Sequence, residues 1–350
     1  MVTPDSISLP IAIDVMGADL GPFEIIEGCL LALKELPDLP GLMLVGDQEI
    51  IKPFLENKKK DAPLHQISFC QASEIIGMDE KPLSSIRHKK DSSMVRALEL
   101  VQSGRASAML SCGNTGSLMA GGMLKIRPMV GIERPALATV IPTRGGHFIL
   151  IDSGANPTPE PQHLVQNALL GYHYASAVLQ LPRPRVGLLT IGTEEGKGTD
   201  LILQTHEQLK NIQDLVGYTG LIEGFHLFES VVDVVVCDGF VGNILLKTCE
   251  SLFASLKGFL KEELSQNWMR KTGAFLSQGV YRTMKEKFSP EQYGGAPLLG
   301  LKQPILKGHG SSNRHSVLGA IRIAHQIVKY DMNDHVQDTL QKVHERAIVN

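Results

Sequence analysis

Eight short runs punctuate this chain: IAIDVMG, GLMLVGD, ISFCQA, ASAMLSCG, LATVIPT, HFILIDSG, RVGLLTIG and VDVVVCDG. Most are continuously apolar, without the alternation of a strand that has one face in water. Strands of this kind are buried on both faces, so their sheet needs helices over each side. Helical patterns fall between and after them, at 92–102, 117–125, 161–179, 199–210, 241–260 and 311–329. Strand alternating with helix predicts an α/β fold, a three-layer α/β/α architecture with a mainly parallel sheet. No repeat of solenoid period and no low-complexity linker breaks the chain. The proline-rich NPTPEPQ at 156–162 reads as a loop feeding a helix, or as a lobe boundary. We expect one domain over residues 1–350, folded as two lobes around a cleft.

Composition narrows the class. With 43% hydrophobic and 20% charged residues the chain is ordinary globular protein. A net charge of −3 gives no reason to expect nucleic acid. No apolar run approaches the ~20 residues that span a bilayer. The start, MVTPDSISLPIAIDVMG, lacks a basic stretch before its apolar run and reads as a first strand, not a signal peptide. Five widely spaced cysteines with no C-x-x-C pair argue against a disulfide framework or zinc knuckle and fit a reducing cytoplasm.

Five strands end in glycine-containing turns: DVMGADLG, SCGNTG, DSGANP, IGTEEGKG and CDGFVGN. In parallel α/β sheets ligands sit beyond the carboxyl ends of the strands, so we expect these turns to share one edge and a cleft. SCGNTGSLMAGG lacks G-x-G-x-x-G, but puts backbone N–H groups, the Asn114 amide and the Thr115 hydroxyl at a helix start that favours an anion. Asn114 or Thr115 as an ordinary cap is the bland reading. IGTEEGKGTD misses the phosphate-loop pattern: Gly192 is one residue too close to Gly196, and Gly198 replaces the hydroxyl residue. What remains is Lys197 between two glycines, a point charge for a phosphate or oxyanion, or a solvated loop lysine. Asp238–Gly239 turns the chain before Asn243, which we expect to open a helix carrying Lys247. Asp238 either caps it or holds a ligand. His309 lies in a polar turn before Ser311, Ser312 and Asn313. Ser311 is the expected cap, and His309 is a candidate for acid–base work. There is no G-x-S-x-G elbow, no H-E-x-x-H and no Cys/His cluster. Cys112 and Cys237 end buried strands and read as packing residues.

IAIDVMGADLGP, GNTGSLMAG, IDSGANP, IGTEEGKGTD, VVVCDGFVGN and YGGAPLLGL…HGSSN together, in this order, resemble the bacterial phosphate acyltransferase (PlsX) family. The resemblance runs from about Ile11 to the last long helices. Ala18 stands where many relatives carry glycine, and DSGANPTPEP is proline-rich after its shared core; neither removes a polar side chain from the expected cleft. The resemblance implies transfer of a fatty acyl group from acyl carrier protein to inorganic phosphate, at an early step of phospholipid synthesis. It implies a homodimer with the fold of phosphotransacetylases and isocitrate/isopropylmalate dehydrogenases, and no metal or cofactor. Lys197, Asn243 and His309 become candidate catalytic groups. Asp14, Gly17, Gly113, Asn114, Thr115, Gly116, Asp152, Asn156, Asp238, Gly239, Ser311 and Ser312 become candidate phosphate or substrate contacts. Alternatives are a phosphotransacetylase acting on acyl-CoA, a nicotinamide-dependent decarboxylating dehydrogenase, and a carrier-protein scaffold.

Residues 257–287 carry seven Lys/Arg against three Glu in an otherwise acidic chain. Leu276, Val280 and Met284 recur at i+4 beside Phe275 and Tyr281, with Trp268 nearby. This segment is a candidate for contact with a membrane or a dimer mate. The resemblance adds peripheral association with the inner face of the cytoplasmic membrane, near a membrane glycerol-3-phosphate acyltransferase.

Overall fold

The computed structural model describes residues 9–58, 63–194, 196–288 and 294–349, and only the backbone of 285–288 and 347–349. Glu195, Tyr293 and the side chains of Lys285 and Lys287 lie outside the described residues.

The strands are β1 Ile11–Asp14, β2 Leu42–Gly46, β3 Ile67–Gln71, β4 Ala108–Ser111, β5 Ala136–Pro142, β6 His147–Ile151, β7 Val186–Thr190, β8 Tyr218–Glu223, β9 Val234–Val236, β10 Gly295–Leu299 and β11 Ile305–Gly308. The helices are α1 Pro22–Glu35, α2 Gln48–Glu56, α3 Pro82–His88, α4 Ser93–Gln102, α5 Thr115–Gly121, α6 Pro161–Val178, α7 Asp200–Lys210, α8 Gln213–Val216, α9 Gly239–Ser265, α10 Trp268–Leu276, α11 Gln278–Phe288, α12 Arg314–Lys329 and α13 Met332–Val349. All eight apolar runs became strands. Capping sets several helix starts: Ser92 accepts from the Val95 N–H ahead of α4, and Thr199 from Ile202 ahead of α7.

The sheet order is β3-β2-β1-β4-β11-β10-β5-β6-β9-β7-β8. Neighbours are parallel except around the centre, where β10 runs antiparallel to β11 and β5, and β5 antiparallel to β6. β1–β4, β11 and β5 therefore point one way, and β10, β6, β9, β7 and β8 the other. This corrects the expectation of one shared edge. The turns after β1 and β4 lie at one edge, while those after β6, β9 and β7 begin at strand ends that face the opposite way. The cause is the hairpin between β5 and β6, closed by a Thr143 N–H to Gly146 carbonyl bond of 2.8 Å. A connection that short can join only antiparallel strands.

The two faces of the sheet differ. Under α1, α6 and α12 one apolar core runs through both halves, from Ile11 and Leu110 to Val186 and Val234. On the other face the core is split. One cluster packs Ala12, Met109 and Ile305 against Leu98 and Leu118; the other gathers Ile141, Phe148, Leu150 and Val235. Residues two apart on a strand share a face. Along β5, Leu137 belongs with the first cluster and Ile141 with the second. Thr139 between them is polar, and its hydroxyl meets that of Ser153 at 2.9 Å.

Candidate active site

The first group of site residues stands at the carboxyl ends of β1, β4 and β11. Strand register aligns Asp14 with Ser111 and Ser111 with Lys307. The row shares a face with Ala12, Met109 and Ile305, two residues earlier on each strand, so it continues the first half of the split core. Asp14 is buried and accepts a 2.6 Å bond from the Ser111 hydroxyl. Burial raises its pKa, with Ser111 and Ser93 opposing. Gly17 brings the β1 and β4 turns together: a Cβ there would stand 2.9 Å from Gly113 Cα and 3.0 Å from Asp14 Oδ2.

The Gly113–Gly116 turn is more committed to its own fold than its sequence indicates. Asn114 caps α5 by accepting from the Ser117 N–H at 2.9 Å, and its amide donates to the Met78 carbonyl at 2.6 Å. That agrees with the capping reading. Thr115 is exposed at the helix start. Gly116 faces Pro82, whose Cγ would lie 2.6 Å from a Cβ, so packing against α3 accounts for this glycine. Neither Gly113 nor Gly116 has a positive φ.

The turn after β11 completes the group. His309 is exposed, and its Nδ1 accepts from the Ser311 N–H and meets the Ser311 hydroxyl at 2.8 Å. The neutral ring therefore carries its proton on Nε2. The expected Ser311 cap is corrected: Asn313 caps α12, accepting from the His315 and Ser316 N–H groups at 3.0 Å each. Ser312 is buried and without a well-formed hydrogen bond; its hydroxyl lies beside the Cys112 thiol. Burial pushes that thiol up to about 11, against the pull of Lys307, so it stays protonated near neutrality.

The second group joins the turns after β6 and β9. The buried Asp152 carboxylate accepts from the N–H groups of Leu137, Gly154, Ala155 and Asn156, at 2.6–3.1 Å. Burial raises its pKa and these donors oppose the rise. The Asn156 amide donates to the Pro135 carbonyl at 2.8 Å, and its own carbonyl accepts from Gly239 N–H. Asp238 caps α9, accepting from Phe240 and Val241. The helix opens there, so Asn243 lies in its second turn and not at its start. It is exposed and faces Gly154, with Oδ1 3.5 Å from where a Cβ would stand. Lys197 belongs to neither group. It sits half exposed in the loop after β7, paired with Glu194 at 2.5 Å.

Lys307, Ser111 and Asp19 escaped the sequence reading. Asp19 donates its N–H to the Gly310 carbonyl and ties the β1 turn to the β11 turn. The signal for Lys307 was its place in PILKGHGSSN, a lysine inside an apolar strand directly before a glycine turn. Among the described residues no group of three or more His, Cys, Asp or Glu side chains is set to hold a metal ion.

A mainly parallel sheet reversed at its centre, with polar turns at its strand ends, is the fold of the phosphotransacetylases. A phosphotransacetylase from Streptococcus pyogenes superposes with a TM-score of 0.62 at 14% identity, covering 93% of this chain and 96% of that one. A putative 4-hydroxythreonine-4-phosphate dehydrogenase from Salmonella typhimurium shares the fold at a TM-score of 0.50 and 15% identity, over 91% of this chain and 99% of its own. Sequence comparison narrows the class. The family model described as fatty acid synthesis protein matches residues 9–335. The phosphate acyltransferase of Thermoanaerobacter pseudethanolicus is 41% identical over 97% of this chain and 99% of its own length. That of Bacillus pumilus is 43% identical over 95% and 98%. This chain belongs to the phosphate acyltransferase family.

Proposed function

We propose that the chain transfers a fatty acyl group from acyl carrier protein to inorganic phosphate, giving acyl phosphate for phosphatidic acid synthesis. The observation that carries this reading is kinship along nearly the whole chain with proteins named phosphate acyltransferase. The chemistry is compatible with the site. Phosphate, with a second pKa of ~6–7, is itself the nucleophile. The thiolate that leaves, of pKa ~8.5, needs little help from an acid. Direct attack therefore requires no acyl-enzyme, and the buried, protonated Cys112 is unsuited to form one. The protein's task is to align phosphate with the thioester carbonyl and stabilise the developing oxyanion.

In this reading the two groups of turns face one cleft where the core is split. The Gly113–Gly116 backbone, Thr115, Ser311, Ser312 and His309 receive phosphate from the first half. Asn243 approaches the thioester from the second, Lys197 reaches it from the loop after β7, and Asp14, Gly17, Asp152, Asn156, Asp238 and Gly239 hold the turns in place. The test is phosphate-dependent release of free carrier protein from long-chain acyl carrier protein by the purified chain. No release at saturating phosphate refutes the proposal. A second reading, transfer from acyl-CoA, is favoured by the phosphotransacetylase neighbours; comparing the two thioesters at equal concentration separates them. Turnover coupled to nicotinamide absorbance would instead favour a dehydrogenase.

We further propose a homodimer that touches the inner face of the cytoplasmic membrane. Supporting it are apolar side chains left in water along α9 and α10: Phe240, Ile244, Leu252, Leu256, Phe259, Trp268, Phe275 and Leu276. Only Gly239 and Gly242 of α9 are buried. The helix breaks at Ser277, so Leu276 does not share one continuous helix with Val280 and Met284 as expected. Among the described residues no helix is long and apolar enough to cross a membrane.

A further inference from the structure

We infer that Lys307 is the residue whose ammonium group contacts the bound phosphate, an assignment that rests on the acyl-transfer reading above. Lys307 is next to last in β11, in register with Ser111, at the strand end from which the His309–Ser312 turn leaves. It is the cation of the Asp14–Ser111–Lys307 row. Its ammonium group donates to the carbonyl of Gly308, and among the described residues no carboxylate comes within ion-pair distance of it. Lys307 is half-buried, and an ammonium partly withdrawn from water is costly unless an anion offsets its charge. The surroundings lack that anion at contact range. Asp14 is already engaged with Ser111, and Asp19 acts on Lys307 only through space. Lys247, on α9 of the second group, repels it. Lys247 is itself paired with Glu250 at 2.7 Å, whereas Lys307 has no such partner, and a phosphate anion would supply one. The buried Ser312 hydroxyl, beside Cys112 and without a well-formed partner, adds a donor of the kind a phosphate oxygen takes. Burial, then Lys247, lower the pKa of Lys307, while Cys112, Asp19 and Asp14 hold it up. An incoming phosphate acts in the same direction as those carboxylates and fixes the charged form.

The test compares Lys307→Met and Lys307→Arg with the wild type and with Lys302→Met, an exposed lysine between β10 and β11. Steady-state kinetics are measured with long-chain acyl carrier protein while phosphate is varied, and phosphate binding is followed by calorimetry without the acyl donor. We expect Lys307→Met to raise the KM for phosphate and weaken its binding by at least tenfold, with the KM for the acyl donor within twofold of wild type. Lys307→Arg keeps the charge and recovers part of the phosphate affinity; Lys302→Met matches wild type. Unchanged phosphate affinity in Lys307→Met overturns the assignment. So does a loss confined to kcat, which would make the lysine an oxyanion donor. If Lys307→Met does not fold, Lys307→Arg decides: a changed phosphate KM with an unchanged donor KM supports contact, and wild-type constants for both overturn it. A wild-type chain that binds phosphate but releases no carrier protein refutes the acyl-transfer reading alone.

Discussion

Adding one carbon at Gly17 tests whether the contact between the β1 and β4 turns sets the geometry of the site. In Gly17→Ala the new Cβ would stand 2.9 Å from Gly113 Cα and 3.0 Å from Asp14 Oδ2. Non-bonded carbons rest at about 3.5–4.0 Å, so the turns must separate by roughly 0.6–1.1 Å. Overpacking of this kind costs about 1–3 kcal/mol. The displaced carboxylate is the one that holds Ser111 at 2.6 Å, so the strain passes into the Asp14–Ser111–Lys307 row. A misplacement near 1 Å lowers turnover by about 10²-fold. Urea unfolding measures the first effect, and phosphate-dependent release of carrier protein the second. Gly146→Ala serves as the control, because nothing lies within 4 Å of a Cβ there. Wild-type stability and turnover in Gly17→Ala would refute the argument. Reduced stability with normal turnover would separate turn packing from alignment.

Lys197→Ala should lower kcat/KM by about 10²–10³-fold, the loss of one transition-state donor, with poor rescue by Lys197→Arg; near-normal rates would leave Lys197 as the partner of Glu194 in a solvated loop. His173, buried on α6 near His335 of α13, is pushed down to about 4 by burial. It is neutral when folded, and the unfolded chain takes up that proton below 6.5. Its contribution is therefore complete above pH 6.5 and lost as the pH falls toward 4, a loss of about 2 kcal/mol at pH 5. Urea midpoints should drop between pH 7 and 5 and drop less in His173→Gln; equal slopes would show that another group controls acid stability. Trp268, 79% exposed, should shift its fluorescence to the blue with anionic vesicles, less so in high salt or in Leu276→Glu; emission indifferent to vesicles, without co-sedimentation at low salt, would assign this surface to a protein contact.

Eight of the strands, all but β8, β10 and β11, were legible because burial on both faces writes itself into sequence as unbroken apolar runs. Their directions were not, although one clue was present. LATVIPT and HFILIDSG flank only Arg144, Gly145 and Gly146, too few residues for a parallel crossover. That hairpin, read as such, would have divided the glycine turns between two edges. β10 and β11 escaped notice because GAPLL and ILKG are short and broken by glycine and proline. With β11 went Lys307, whose neighbours Asp14 and Ser111 are brought to it only by strand pairing. The capping roles of Asn114 and Asp238 were readable locally, since an Asn or Asp before a helix needs no distant partner. Gly116 was not, because the atom that excludes its side chain belongs to Pro82 on another helix.

The strand order also makes a demand on synthesis. β11 pairs directly with β4, yet about 190 residues separate them in the chain. At roughly 5–20 residues per second, a ribosome needs about 10–40 s to deliver the later strand. Through that interval β1–β4 can pair among themselves, but β4 offers an unfilled row of backbone donors and acceptors to any other extended segment. The nascent chain is thus open to wrong pairing at the strand end where Ser111 and the Gly113–Gly116 turn will lie. Slow translation between residues 112 and 304 should lengthen that exposure, and a chaperone that covers an open sheet edge should shorten it.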